Sequence, residues 1–196
     1  MQILTCPAQL QRLEGILRKS LPLALPVFGA VLNINRGNPG HFEVLVDKWP
    51  EFGAILARPS GEVASGDMGA LQEGGGVTRV PWHVPGVLRA PLGAPRPAPG
   101  VRVGSLSPSH VDLLNDTWPY GRNARSRRYL AEILGLFPQV CLQDGSGQPV
   151  AWVLTDHFGT GTHSYTLPEQ RRRGHMQVAL TVAAQRAQAR GFPTFG

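Results

Sequence analysis

The sequence predicts a mixed α/β chain of the α+β class, with two ordered blocks flanking an irregular middle. Three observations carry that reading. Apolar residues recur at helical spacing near both ends, as Leu10, Leu13, Ile16, Leu17 and Leu21 and again as Met176, Ala179, Leu180, Ala183 and Ala187. Between Val140 and Leu167 three short strand-like runs are separated by Asp144-Gly145-Ser146-Gly147 and Gly159-Thr160-Gly161, the pattern of an antiparallel meander. Glycine and proline crowd the middle, where Arg58 to Gly100 holds seven Pro and nine Gly in 43 residues. The chain accordingly divides into 1–58, 59–102 and 103–196.

Pro7 suits the first helical position after Cys6, and the helix it opens ends before Pro22. Its polar face carries Arg12, Arg18 and Lys19, as a targeting helix would, but Glu14 is foreign to one, and a core-facing helix is the simpler reading. Val27 to Ile34 predicts a buried strand, Asn35-Arg36-Gly37-Asn38-Pro39 a turn, Phe42 to Val46 a second strand and Ile55 to Ala57 a third. From Ser60 to Gly100 neither period is sustained, and Gly74-Gly75-Gly76 and Pro95-Arg96-Pro97-Ala98-Pro99 read as linker or disorder. Ser107 is a suitable N-cap before Pro108, with Val111, Leu113 and Leu114 as the apolar face. Tyr129, Leu130, Ile133, Leu134 and Phe137 mark another helix, which Pro138 ends. Strands follow at Val140 to Gln143, Val150 to Thr155 and His163 to Leu167. The last helix stops at Gly191, and Phe192 to Phe195 predict the start of a further strand.

At 196 residues and 42% apolar composition the chain can bury a core without covalent staples. Cys6 and Cys141 cannot form a disulfide framework, and a reducing compartment is the default. The longest near-apolar run, Leu21 to Leu32, contains Pro22 and Pro26 and is short of the ~20 residues that a membrane-spanning helix needs. Net charge is +6, almost all of it arginine, which favours an anionic partner without choosing among phosphate, nucleic acid and acidic lipid.

The most informative junction runs from strand to helix through Pro168-Glu169-Gln170-Arg171-Arg172-Arg173-Gly174. A helix N-terminus offers free amide N–H groups and the positive end of its dipole, and a glycine in the turn lets an anion approach the main chain. Three arginines add charge, so the junction suits a phosphate-bearing ligand; arginines crowding a surface turn are the alternative. Gly159-Thr160-Gly161 lies between two predicted strands and is a hairpin turn rather than a dinucleotide fingerprint. Ser146 lacks the elbow of a serine hydrolase, and His157 and His163 have no third ligand in reach, so no metal is expected. Cys141, in an apolar strand, reads as a buried inert thiol. Trp118, Tyr120, Arg122, Arg125, Arg127 and Arg128 set aromatics beside basic residues, as nucleic-acid binders do, although no recognised module surrounds them.

Asn33-Ile34-Asn35-Arg36-Gly37-Asn38-Pro39 and Val46-Asp47-Lys48-Trp49-Pro50-Glu51-Phe52 resemble the N-terminal domain of the glycine N-acyltransferases. Leu114-Asn115-Asp116-Thr117-Trp118, Tyr165-Thr166-Leu167-Pro168-Glu169, Arg172-Arg173-Gly174 and Arg190-Gly191-Phe192-Pro193 resemble their acyl-CoA domain. The likeness covers Met1 to Arg58 and Val103 to Gly196. It implies a GNAT-like fold for the C-terminal half, in which a loop of the form Arg/Gln-x-x-Gly-x-Gly/Ala cradles the coenzyme A pyrophosphate. Carried over by position, Arg171, Gly174 and Met176 hold the motif positions, with Leu167, Arg172, Arg173 and His175 beside them; Met176 replaces the usual small residue. Acyl-CoA enters as substrate, no cofactor stays permanently bound, and the acceptor is glycine or a similar amino acid. The resemblance also implies a mitochondrial location, otherwise a cytoplasmic one, and a nucleic-acid partner is disfavoured.

Three departures bear on turnover. The Pro/Gly-rich stretch stands where the family has ordered chain, and the family continues beyond Gly196, so both domains are expected to be incomplete. Thr160 occupies the position where some members place a carboxylate as general base. His163 is the nearest substitute base, and strand alternation turns it either into the groove or away from it. The chain is therefore expected to be an acyl-CoA:amino acid N-acyltransferase with poor turnover or a catalytically impaired acyl-CoA-binding variant of one, with a nucleic-acid-binding module, resting only on the positive charge, as the weaker alternative.

Overall fold

The computed structural model describes residues 1–61 and 96–193. The first block is built from β1 (Gln2–Leu4), α1 (Pro7–Lys19), α2 (Leu25–Asn35), β2 (Phe42–Val46) and β3 (Ile55–Pro59). The strands form an antiparallel sheet in the order β1-β2-β3, with Val44 opposite both Leu4 and Ala57. Leu4, Val44 and Val46 turn to one face, where Leu10, Leu13 and Leu17 of α1 and Phe28, Val31 and Leu32 of α2 cover them. Each such side chain, fully buried, contributes about 1.5–3 kcal/mol of transfer free energy, so this helical stripe accounts for the packing of α1. Glu14, on the flank of α1, accepts from Arg18 and from Asn35 Nδ2 and thereby ties α1 to the end of α2. The basic amphipathic helix is a core helix.

The run from Val27 to Ile34, expected as a strand, is helical throughout α2. An unbroken apolar run has no period of its own, and only its surroundings decide between a buried strand and a buried helix. Here the segment is covered on two sides: Phe28, Val31 and Leu32 join the core under the first sheet, while Gly29 meets the carbonyl of Phe158 so closely that a Cβ would overlap it. Pro26 lies in the first turn, where its missing N–H costs nothing. The turn after α2 is as expected, with the amides of Arg36 and Asn38 both donating to Asn33 and Gly37 at φ 99°.

The second block contains β4 (Arg102–Gly104), a 3-10 turn at Pro108–His110, α3 (Val111–Thr117), α4 (Ala124–Leu136), β5 (Gln139–Gln143), β6 (Pro149–Thr155), β7 (Gly161–Thr166), a second 3-10 turn at Pro168–Gln170 and α5 (His175–Ala189). Its four strands pair antiparallel in the order β4-β5-β6-β7, the meander expected with β4 added at its edge. β1 and β4 were not readable from the sequence, because three residues are too few to show alternation. One face of the sheet, with Cys141, Trp152 and Leu154, is covered by Leu114, Leu130, Ile133 and Phe137 of α3, α4 and the residue after α4. The other, with Val140, Leu142 and Val153, lies under Val178 and Ala179 of α5. Covered on both faces, β6 reads as a continuous apolar run rather than an alternating one.

The two blocks are joined at the β6–β7 turn and the end of α5. Asn33 Nδ2 donates to the carbonyl of His157 at 2.8 Å, and Phe42 stacks on the His157 ring at 4.8 Å. α5 ends with Gly191 at φ 78°, its amide donating to Gln188 and that of Phe192 to Ala187. This cap delivers Phe192 into the core of the first block, under the guanidinium of Arg36. Of the further strand expected from Phe192 onward, Phe192 and Pro193 are irregular and the rest lies outside the described residues, as does most of the Pro/Gly-rich middle. No helix among the described residues is long and apolar enough to cross a membrane.

Candidate functional site

β7 delivers Thr166 to the edge of the α5 face, and a 3-10 turn then leads into the loop Arg171 to Gly174. Two residues of this loop, Arg172 at φ 64° and Gly174 at φ 76°, are in the left-handed region and curl the chain sharply before the helix. Gly174 is the N-cap of α5 and has no side chain with which to close the first turn. The N–H groups of His175, Met176 and Gln177 therefore lack both an intrahelical acceptor and a capping one, and they carry the positive end of the helix dipole. A Cβ built on Gly174 would meet nothing within 4 Å, so the loop opens outward at this point.

A cavity of about 310 Å³ lies against this loop. Of the residues expected to hold the coenzyme, Arg171, Arg172, Gly174, His175 and Met176 line it, joined by Thr166, Gln170 and Gln177, which the sequence reading did not single out. Leu167 instead packs beneath the α3/α4 face, and Arg173 turns to Gln170, donating to its Oε1 at 3.1 Å. Arg171 donates to the carbonyl of Thr166 at 3.2 Å and lies over the ring of Tyr165, which fixes its stem beside the loop. Arg172 is exposed, with no hydrogen bond or ion pair among the described residues. His175 is buried, and burial together with the charge of Arg173 holds its pKa below the ordinary histidine value.

His163 occupies a different environment. It alternates with Thr166 along β7, so the two side chains take opposite faces of the strand. His163 is buried among Trp118, Trp152 and Tyr165 on the α3/α4 face, and its Nε2 donates to the carbonyl of Leu114 at 2.8 Å. That bond places the proton of the neutral ring on Nε2 and leaves Nδ1 as the basic nitrogen, while burial lowers the pKa of the ring. Thr160 sits in the β6–β7 turn, its amide donating to Asp156. Asp156 also accepts from Phe158, and burial raises its pKa above the usual carboxylate range. Cys141 is buried in β5, its thiol pushed up to about 12, so it is inert as expected.

Comparison with known proteins converges on one family. The family described as aralkyl acyl-CoA:amino acid N-acyltransferase matches residues 1–73 and 90–138. Glycine N-acyltransferase of Bos taurus is 30% identical over 252 residues, taking in 95% of this chain and 85% of that protein. That span is longer than the 196 residues here, so part of the relative has no counterpart in this chain. Glycine N-phenylacetyltransferase of Bos taurus is 27% identical, covering 96% of this chain and 86% of its own. A solved Drosophila protein structure overlaps 50% of this chain and 33% of that one at 20% identity with a TM-score of 0.45. The order helix, helix, meander, helix around a head-of-helix cavity thus stands in a chain that belongs to the aralkyl acyl-CoA:amino acid N-acyltransferase family.

Proposed function

We propose that the cavity at the head of α5 takes the pyrophosphate of an acyl-CoA, whose acyl group passes to the amino group of glycine or a similar amino acid. The observation that carries this reading is the uncapped α5 N-terminus facing a cavity lined by Arg171 and Arg172. A pyrophosphate supplies the acceptors that three free amides need and the negative charge that the dipole and guanidinia favour. The outer edge of β7 has no strand partner among the described residues and runs towards this loop, so the amide-bearing arm of coenzyme A has main-chain groups to meet there.

In the transfer, the neutral amine attacks the thioester carbonyl and forms the C–N bond. The oxyanion then collapses with cleavage of C–S, the sulfur leaves as thiolate, and a base takes the proton lost by nitrogen. We assign the base to Nδ1 of His163, whose tautomer the Leu114 carbonyl fixes. A second reading, an acyl-CoA-binding chain with little turnover, is supported by the position of His163 on the face of β7 away from Thr166 and the phosphate cavity. For location we infer the mitochondrion, from the family alone. Phenylacetyl-CoA, benzoyl-CoA and a medium-chain acyl-CoA, each mixed with glycine or glutamine, test the reaction by release of free thiol. Release that depends on the amino acid and falls by about 10²-fold or more in His163→Ala is the expected result. Coenzyme binding without such release establishes the second reading, and release unaffected by His163→Ala removes His163 from the chemistry.

A further inference from the structure

Two buried polar side chains at the head of α5 are not accounted for by the contacts above. Both ring nitrogens of His175 and Oγ1 of Thr166 are closed off from the surface with no hydrogen-bond partner among the described residues, and His175 is only 2% exposed. A buried polar atom left unpaired is destabilising, and here three such atoms lie on residues that line one cavity. Their placement follows from two periodicities that meet at this point. Thr166 ends β7 on the α5 side, and His175 begins α5 on the inward face that it shares with Val178 and Ala179. A hydroxyl and an imidazole thus lie beneath a rim of main-chain amides and arginine.

We propose that Thr166 and His175 form a side-chain floor to the phosphate site, the hydroxyl and a ring N–H donating to phosphoryl oxygens that the α5 amides also hold, with a proton taken up at His175 on binding. This rests on the reading of the α5 head as the coenzyme site and adds to it the Thr166 hydroxyl and a side-chain role for His175. A neutral imidazole offers one donor and one lone pair, and the lone pair repels a phosphoryl oxygen; the protonated ring offers two donors. The charged group acting on His175 is Arg173, with Arg171 and Arg172 on the same cavity, while the strands beneath α5 contribute uncharged Val150, Ala151 and Val153. Burial and the charge of Arg173 disfavour the proton in the empty site, and a bound pyrophosphate reverses the field. The added affinity is therefore complete below the free-state pKa and is lost as pH rises through the higher bound-state pKa.

Calorimetric titration of the full chain with 3′-dephospho-CoA, from about pH 5.5 to 8.5 in two buffers of different ionisation enthalpy, tests this. The dephospho form avoids a terminal phosphomonoester that itself titrates near pH 6. Wild type is expected to bind more tightly as pH falls, with a buffer-dependent heat that reports proton uptake. His175→Gln should flatten the pH profile and weaken binding roughly tenfold at the acid end, and Thr166→Val should weaken it by a similar factor at every pH. Thr166→Ser keeps the hydroxyl and should restore the affinity, which separates ligation from a packing defect. Wild-type affinity and slope in both His175→Gln and Thr166→Val, in a protein whose binding Gly174→Glu abolishes, overturn the floor while the coenzyme site stands. Failure of wild type to bind, or indifference to Gly174→Glu, overturns the coenzyme site and the floor with it.

Discussion

α4 and α5 begin alike and end up differently. Each begins within a cluster of arginines, with one arginine in the left-handed region just before the helix, Arg122 at φ 67° before α4 and Arg172 at φ 64° before α5. At α4 the turn is closed from within. Asn123 caps the helix by accepting from the amide of Ser126 at 2.8 Å, and Asn115 accepts from the Ser126 hydroxyl and from the Arg122 amide. Two of the arginines there are engaged as well: Arg122 donates to the Asp116 carbonyl, and Arg127 forms a two-bonded pair with Asp112. At α5 the cap is glycine, the first amides are free, Arg172 is unpaired among the described residues and His175 has no partner. The difference teaches that arginine density does not mark a binding site; what marks one is a helix start whose polar groups the chain itself leaves unsatisfied.

The comparison breaks most sharply at Gly174. Glutamate there must hold φ 76° against its Cβ and puts a carboxylate where the pyrophosphate would lie. Coenzyme A affinity measured by calorimetry should fall more than about 100-fold, whereas Arg127→Glu at the α4 start should change it less than about threefold. Equal losses would mean that net charge rather than the open turn governs binding. A smaller effect is expected at Arg172, the exposed and unpaired arginine. Arg172→Ala should weaken coenzyme A by roughly three- to tenfold in dilute salt, and the deficit should shrink as salt is added, because an exposed charge acts through a screened field. A salt-independent deficit would place the guanidinium in a desolvated contact instead.

Much of this contrast was legible in the chain itself. Pro168 to Gly174 followed by an apolar stripe reads as strand, turn and open helix because Gly174 offers no capping side chain, and the meander announces itself through Asp144-Gly145 and Gly159. What could not be read were facts of the second dimension. Thr166 and Gln170 join the cavity only because β7 ends beside α5, and no local spacing links them to His175. Whether His163 faces the cavity depended on the register of β7, where the pairing with β6 is irregular between Val153 and Thr155. α2 was misread because an apolar run covered by both blocks has no period to betray it, although Pro26 in a first turn was the available signal.

The mildest change sharpens the comparison from the closed side. Asn123→Ala removes the acceptor for the Ser126 amide and two exposed bonds from Asn123 Nδ2 to the carbonyls of Tyr120 and Gly121, but leaves Ser126 its hydroxyl bond to Asn115. Caps of this kind are worth about 1 kcal/mol, which in a chain of this size should lower the melting temperature by only a few degrees. Coenzyme affinity should stay within about twofold of wild type, since nothing at the α4 start lines the cavity at α5. The two readouts matter together: α4 is capped for stability and α5 is open for a ligand, so damage at the first should appear in melting and damage at the second in binding. A loss of affinity in Asn123→Ala at full thermal stability would mean that the α4 turn itself contacts the ligand, and the division between the two helix starts would have to be abandoned.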